Sequence, residues 1–316
     1  MRLSVATGPH IMSRQSTRRI MLDVLIALLP TAAAGIYLFG GPAAVVLAVS
    51  VLSAVLSALL WQLLTRKPLG NPDFSAAVTG LILGLNLPSH TPWWVAAIGS
   101  AFAVIVAREL FGGIGHNFMN PAMLARAVLV ASWPRHLTTF LLPQRLIGGT
   151  SAAAVGDAVT SATPLSPLFT GNATTLDLLL GNIPGTIGEV CKIAILLGLA
   201  YMIFRSVVGW HIPALFVAAV ALLTWAYGNQ DPLAAVLSGG VLFGAVFMAT
   251  DYVTNPMLPL GQCIFAVGCG VIVVLIREHG LLPEGVTYAI LIMNILTPLI
   301  DKFTKRRVYG EVKKHA

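Results

Sequence analysis

The sharpest segment for chemistry is the run Asp157-Ala-Val-Thr160-Ser161-Ala162-Thr163-Pro164, with Thr163 as its candidate residue. Small neighbours leave its hydroxyl accessible. Pro164 suits the first position of a helical turn, which puts Thr163 at the N-cap. A helix N-terminus favours a phosphate, but Pro167 keeps this turn short and its dipole weak. On the residues alone, a capping Ser/Thr turn is the plainer reading and a phosphate-bearing threonine the sharper one.

A second set centres on Gly112-Gly-Ile-Gly115-His-Asn117-Phe-Met-Asn120-Pro121. The glycine spacing is not that of a dinucleotide fingerprint. Asn120-Pro121 reads as a helix start, with Asn120 as the cap, and Asn255-Pro256 repeats it just after Thr250-Asp251. Both positive helix ends would face one membrane surface. Amides of Asn117 and Asn120 could then bind the edge of a heteroaromatic ring, and Arg126 could hold negative charge on it. Asp251 could join that pocket, serve a coupling ion, or pair with Arg126. Capping alone is the competing reading. Of the other charges in apolar runs, Glu189 and Lys192 are three apart and read as a self-neutralising pair on one helix. Asp23 reads as interfacial, beside Arg18 and Arg19. His116 and His136 lack metal-ligand spacing. Cys191, Cys263 and Cys269 stand singly in apolar runs and read as small packing residues. No catalytic side chain and no metal ligand is assigned.

Membrane spans must position these residues. Of 316 residues, 57% are hydrophobic and 10% charged, and the mean hydropathy is +0.85. A soluble domain has about 25% charged residues. The net charge of +7 does not point to nucleic acid, because the basic residues gather at the chain ends and in short loops. The N-terminal apolar run is long enough to span and a second follows it directly, unlike a cleavable signal peptide. A span needs about 20 apolar residues. The pattern predicts an all-α polytopic membrane protein of about ten spans, at residues 20–40, 43–64, 74–87, 93–111, 121–133, 187–205, 212–227, 233–250, 257–276 and 285–300. The third and fifth are short for a full crossing, a feature tolerated where backbone is buried in protein.

Lys and Arg set the orientation. With both termini in the cytoplasm, the inner ends collect most of the basic residues, from Arg14 to Lys314, and the outer loops only Arg135, Arg145 and Arg277. The long Gly-, Ser- and Thr-rich loop at 134–186 then lies outside. Gly80-Leu-Ile-Leu-Gly84 resembles Gly240-Val-Leu-Phe-Gly244, five spans on. A five-helix unit inverts on repeating, so the sequence predicts one transmembrane domain, 1–316, of two inverted halves (20–133 and 187–300) and a cytoplasmic tail at 301–316. Common helix-packing glycines are the alternative.

With these segments in hand, the chain resembles the RnfD/NqrB family, membrane components of the Rnf complex and of the sodium-pumping quinone reductase. The resemblance covers nearly the whole chain. It rests on Asn71-Pro-Asp-Phe-Ser-Ala-Ala-Val-Thr-Gly80, on residues 112–121 and 157–164, on Gly181-Asn-Ile-Pro-Gly-Thr-Ile-Gly-Glu189 and on Met248-Ala-Thr-Asp251. The length suits the Rnf branch. The family's flavinylation motif runs approximately Asp, two variable residues, Ser or Thr, Gly or Ser, Ala, Thr. Here Asp157, Thr160, Ser161, Ala162 and Thr163 supply it in register. The resemblance therefore implies flavin mononucleotide (FMN) esterified to Thr163 by a flavin transferase, in place of the plain cap. It also implies a non-covalent riboflavin, for which the 112–121 region with Arg126 and Asp251 is the candidate. Further implications are a bacterial inner-membrane location, Rnf-type flavin and iron–sulfur subunits as partners, and electron transfer coupled to Na⁺ or H⁺ movement in an NAD–ferredoxin oxidoreductase. Architecture alone would also suit an inverted-repeat transporter or channel with no redox cofactor, or a structural anchor for redox partners.

Overall fold

The structure, a computed structural model, describes residues 16–66, 73–143, 174–229, 231–280 and 285–305, and the backbone of 160–161. It is an all-α polytopic membrane protein, as the hydropathy predicts. In chain order come α1 (Thr17–Phe39), α2 (Gly41–Leu64), α3 (Ser75–Leu85), α4 (Trp93–Ile105), a 3₁₀ turn (Glu109–Phe111), α5 (Pro121–Ser132) and α6 (Pro134–Thr138). Strands β1 (Phe140–Leu141) and β2 (Thr160–Ser161) precede α7 (Thr175–Leu180), α8 (Lys192–Phe204), α9 (His211–Tyr227), α10 (Pro232–Leu237) and α11 (Val241–Phe243). A π turn (Gly244–Met248), α12 (Pro259–His279) and α13 (Val286–Thr304) complete the described elements.

Among the described residues, α1, α2, the Trp93–Phe111 segment, α12 and α13 are the five stretches long and apolar enough to cross a membrane. The 11 residues of α3 and 12 of α5 reach only roughly 16–18 Å, about half of a hydrocarbon core. Both survive because protein surrounds them: every residue of α3 except Ala77 is buried.

α2 shows how the spans pack. It turns Leu52, Leu56 and Leu63 outward and buries Ser50, Ala54 and Ala58. A Cβ on Gly80 would lie 2.6 Å from the Ser50 carbonyl oxygen and 2.7 Å from the Ala54 Cβ. Small residues here let two backbones close to contact, the usual device where lipid supplies no hydrophobic drive. α2 lies against α3 and α4, and α4 against α5; equally, α9 lies against α10 and α12, and α12 against α13. The two groups meet where α1 packs on α8 and α5 on α13.

Two predicted spans differ. The sixth, expected from residue 187, becomes helical only at Lys192. Residues 183–190 before it are non-helical yet buried, and their backbone is satisfied across the fold: Ile187 N–H donates to Leu87 O at 3.1 Å and Gly188 N–H to Leu85 O at 2.7 Å. Glu189 and Lys192 therefore do not share a helix. The eighth is interrupted: α10 stops at Leu237, Gly239 turns the chain at φ 63°, and helix resumes at Val241. Arg277 closes the broken end, donating to Ala235 O at 2.6 Å and Ser238 O at 3.2 Å. Cations at a helix C-terminus complement its dipole.

Candidate functional site

At the end of the bundle where α1, α3 and α5 begin and α8 finishes, a cleft opens between Met21, Ile82, Pro121, Met202 and Phe247. Its polar lining comes from Ser75, Arg108, Asn117, Asn120, Thr250 and Asp251. The structure thus brings together three of the four residues expected of a second flavin pocket, Asn117, Asn120 and Asp251.

Asn120 caps α5 as its sequence predicts: Oδ1 accepts from Ala122 N–H at 3.1 Å and Met123 N–H at 3.3 Å. Its Nδ2 donates to Met248 O at 3.2 Å, the last residue of the π turn. One side chain therefore ties a helix start to a segment 128 residues away. Its observed role is thus a cap and a tie between these two segments. With its amide oriented to suit both neighbours, Asn294 of α13 accepts from Asn120 N–H at 3.1 Å and donates to Thr254 O at 3.3 Å. Asn117 donates from Nδ2 to Met119 O at 3.1 Å. Asp251 accepts from Thr254 Oγ1 at 3.2 Å and Val253 N–H at 3.5 Å.

Arg126 is not part of the cleft lining. It lies farther along α5, buried, and donates to Asn86 Oδ1 at 3.3 Å and Thr287 Oγ1 at 3.1 Å. It thereby joins the end of α3 to the start of α13. Two further expectations are corrected. Asn255 caps no helix, since α12 starts at Pro259 with no side-chain cap. Asp23 is buried in the protein and ion-paired with Arg205 at 3.2 Å, with Tyr201 donating to it at 3.0 Å, so it locks α1 to α8 rather than standing free beside Arg18 and Arg19.

The cleft's main cation is Arg108, which the sequence presents only as a basic residue at the inner end of the predicted fourth span. It is 5% exposed, donates to Ser75 Oγ at 2.6 Å and pairs with Glu109 at 2.7 Å. Asp73 completes the row by accepting from Ser75 Oγ at 2.9 Å. Asp73 and Ser75 stand in the Asn71-to-Gly80 motif, a signal visible in the sequence, whereas nothing local links Arg108 to it.

The flavinylation motif sits elsewhere. Thr163, Asp157 and Ala162 lie outside the described residues. Thr160 and Ser161 pair antiparallel with Leu141 and Phe140, just beyond α6. That ladder follows the far end of α5, whose length from the cleft is roughly 18 Å. Trp94 and Trp133 stack edge to face nearby, ring centroids 5.4 Å apart, as in an interfacial aromatic belt.

The cleft measures ≈ 100 Å³. Asn117, Asn120 and Arg108 line the cleft, whereas Arg126 does not.

Comparison with known proteins fits this architecture. The chain is 44% identical to the D subunit of the Na(+)-translocating ferredoxin:NAD(+) oxidoreductase complex of Acetobacterium woodii, over 99% of this chain and 98% of that one. It is 39% identical to the D subunit of the proton-translocating ferredoxin:NAD(+) oxidoreductase complex of Clostridium ljungdahlii, over 97% and 96%. To the D subunit of the ion-translocating oxidoreductase complex of Stutzerimonas stutzeri it is also 39% identical, over 95% and 94%. The model of the NQR2, RnfD, RnfE family matches residues 4–310, and the chain belongs to that family.

Proposed function

We propose that this chain is the flavin-bearing membrane component of an ion-translocating ferredoxin:NAD oxidoreductase complex, with FMN esterified to Thr163. The carrying observation is the Asp157-to-Thr163 register, set in a chain that matches the D subunits of such complexes along nearly its full length. FMN supplies one- and two-electron chemistry that ordinary side chains lack. The chain's own part is to present the Thr163 hydroxyl to a flavin transferase and to hold the loop, through the β1–β2 ladder, at the membrane end remote from the cleft. Redox subunits bearing flavin and iron–sulfur centres are its partners. Relatives are named for Na⁺ and for protons, so similarity does not choose the ion.

In this reading the cleft end is cytoplasmic, the loop is extracytoplasmic and the membrane is the bacterial inner membrane. The paired packing of α2–α3–α4–α5 and α9–α10–α12–α13 supports two inverted halves. A non-covalent riboflavin lies across the cleft mouth, beside Asn117 and Arg108. The test is a denaturing gel under ultraviolet light with intact mass: the chain fluoresces and carries the mass of FMN, and Thr163→Ala loses both. Covalent flavin surviving in Thr163→Ala refutes the assignment, and a dark wild-type chain favours a plain anchor or transporter.

A further inference from the structure

A second polar cluster lies away from the cleft, where the two helix breaks meet. Glu189 is 3% exposed within the buried non-helical stretch. Its Oε1 accepts from Thr186 N–H at 2.9 Å, which closes a turn in that stretch. Neither Thr186 Oγ1 nor Glu189 Oε2 has a partner among the described residues. Two glycines flank the carboxylate. A Cβ on Gly185 would stand 2.8 Å from Oε1, and one on Gly240 3.2 Å from Oε2. The break in the eighth span thus presents bare backbone to the open oxygen.

Lys192 is fully buried, and its Nζ donates to the carbonyls of Glu189 and Gly239, the latter at 3.2 Å. Among the described residues the direct ion pairs are Arg108–Glu109 and Arg205–Asp23; Glu189 and Lys192 do not form one. Arg277 of α12 also faces this cluster, and Cys191 is the remaining titratable neighbour of Lys192. Two cations thus face one carboxylate, which disfavours a metal ion. Arg cannot give up its proton, whereas Lys can. A self-contained structural pair would close Oε2 onto Nζ; here carbonyls hold the ammonium and leave Oε2 open.

We propose that Lys192 and Glu189 are the two stations of a buried proton-transfer site. In the transfer an N–H bond at Lys192 Nζ breaks and an O–H bond at Glu189 Oε2 forms, with one water relaying the proton because the two atoms stand beyond ion-pair distance. The ammonium becomes an amine, the carboxylate an acid, and the net charge of the cluster is unchanged. Embedded ionisable residues that lack a plain structural partner commonly serve such relays. The proposal rests on the ion-translocating half of the function above and commits it to protons.

The test uses the assembled complex in proteoliposomes, comparing wild type with Lys192→Arg, Lys192→Met and Glu189→Gln. Electron transfer is measured with a protonophore present and ion movement without it. Each variant should keep uncoupled electron transfer within about twofold and lose proton movement per electron by about tenfold or more. Lys192→Arg is decisive, because it keeps the charge and cannot release the proton. Wild-type pumping in Lys192→Arg overturns the proposal, as does joint loss of electron transfer and pumping in all three. Transport carried by sodium, abolished by a sodium ionophore and not by a protonophore, also overturns it. Where the bulkier arginine prevents assembly, the near-isosteric Glu189→Gln carries the test. Flavin fluorescence of the same samples reports on Thr163 separately, so failure of either reading is distinguishable.

Discussion

Asn120 offers the clearest separation of a structural clamp from a flavin ligand. Asn120→Ala removes the acceptor for two N–H groups of α5 and the donor to Met248 O. Losing an N-cap costs about 1 kcal/mol. Orphaning a buried carbonyl adds about 1–3 kcal/mol, and polar contacts between membrane helices average nearer about 0.6 kcal/mol. The sum is about 1.5–4 kcal/mol, or a fall of roughly 2–6 °C in melting temperature for a chain of this size. Asn120→Asp sharpens the test. It keeps the cap acceptor but turns a carboxylate oxygen toward the Met248 carbonyl, so it should be at least as destabilising as alanine. The assay is thermal unfolding of the purified chain in detergent, with acid-released flavin measured on the same samples. A chain of unchanged stability that has lost its released flavin would refute the clamp and make Asn120 a ligand.

Cysteine placed at Ser151 should react with an impermeant thiol reagent in intact cells, while one at His315 should not; the reverse pattern inverts the topology. Arg205→Met should destabilise more than Asp23→Asn, because it strands a carboxylate of 8% side-chain exposure, whereas the neutral amide leaves an arginine of 33% exposure that reaches water; unfolding midpoints decide the order. Gly80→Val should impair folding or membrane accumulation far more than Gly41→Val, since Gly80 meets the Ser50 carbonyl and Gly41 has no atom within 4 Å; equal yields would contradict the α2–α3 contact.

The spans were legible because apolar composition and backbone closure are local. A run of apolar residues satisfies its own hydrogen bonds only as helix, and that holds whichever neighbours it meets. Asn120-Pro121 announced a capped start for the same reason: the cap bonds are to residues two and three positions on. Asn255-Pro256 carries the same letters and starts nothing, because the helix begins at Pro259. The Asp157-to-Thr163 register was legible as a contiguous motif, because matching it needs no residue from elsewhere in the chain.

Tertiary structure alone decided where charge is held. Asp23 meets Arg205 182 residues away, and Arg126 meets Thr287 161 residues away. No local pattern encodes such partners, because a buried charge selects whatever complementary group the packing brings within reach. The same cause broke the sixth and eighth spans. Their composition favours helix, but protein-borne partners at Leu85, Leu87 and Arg277 satisfy the freed backbone, so the chain can leave the helix without exposing polar groups to lipid. Sequence determined that this is a membrane protein and which threonine bears the motif; packing determined that Arg108 belongs to the cleft and that Glu189 stands open beside Lys192.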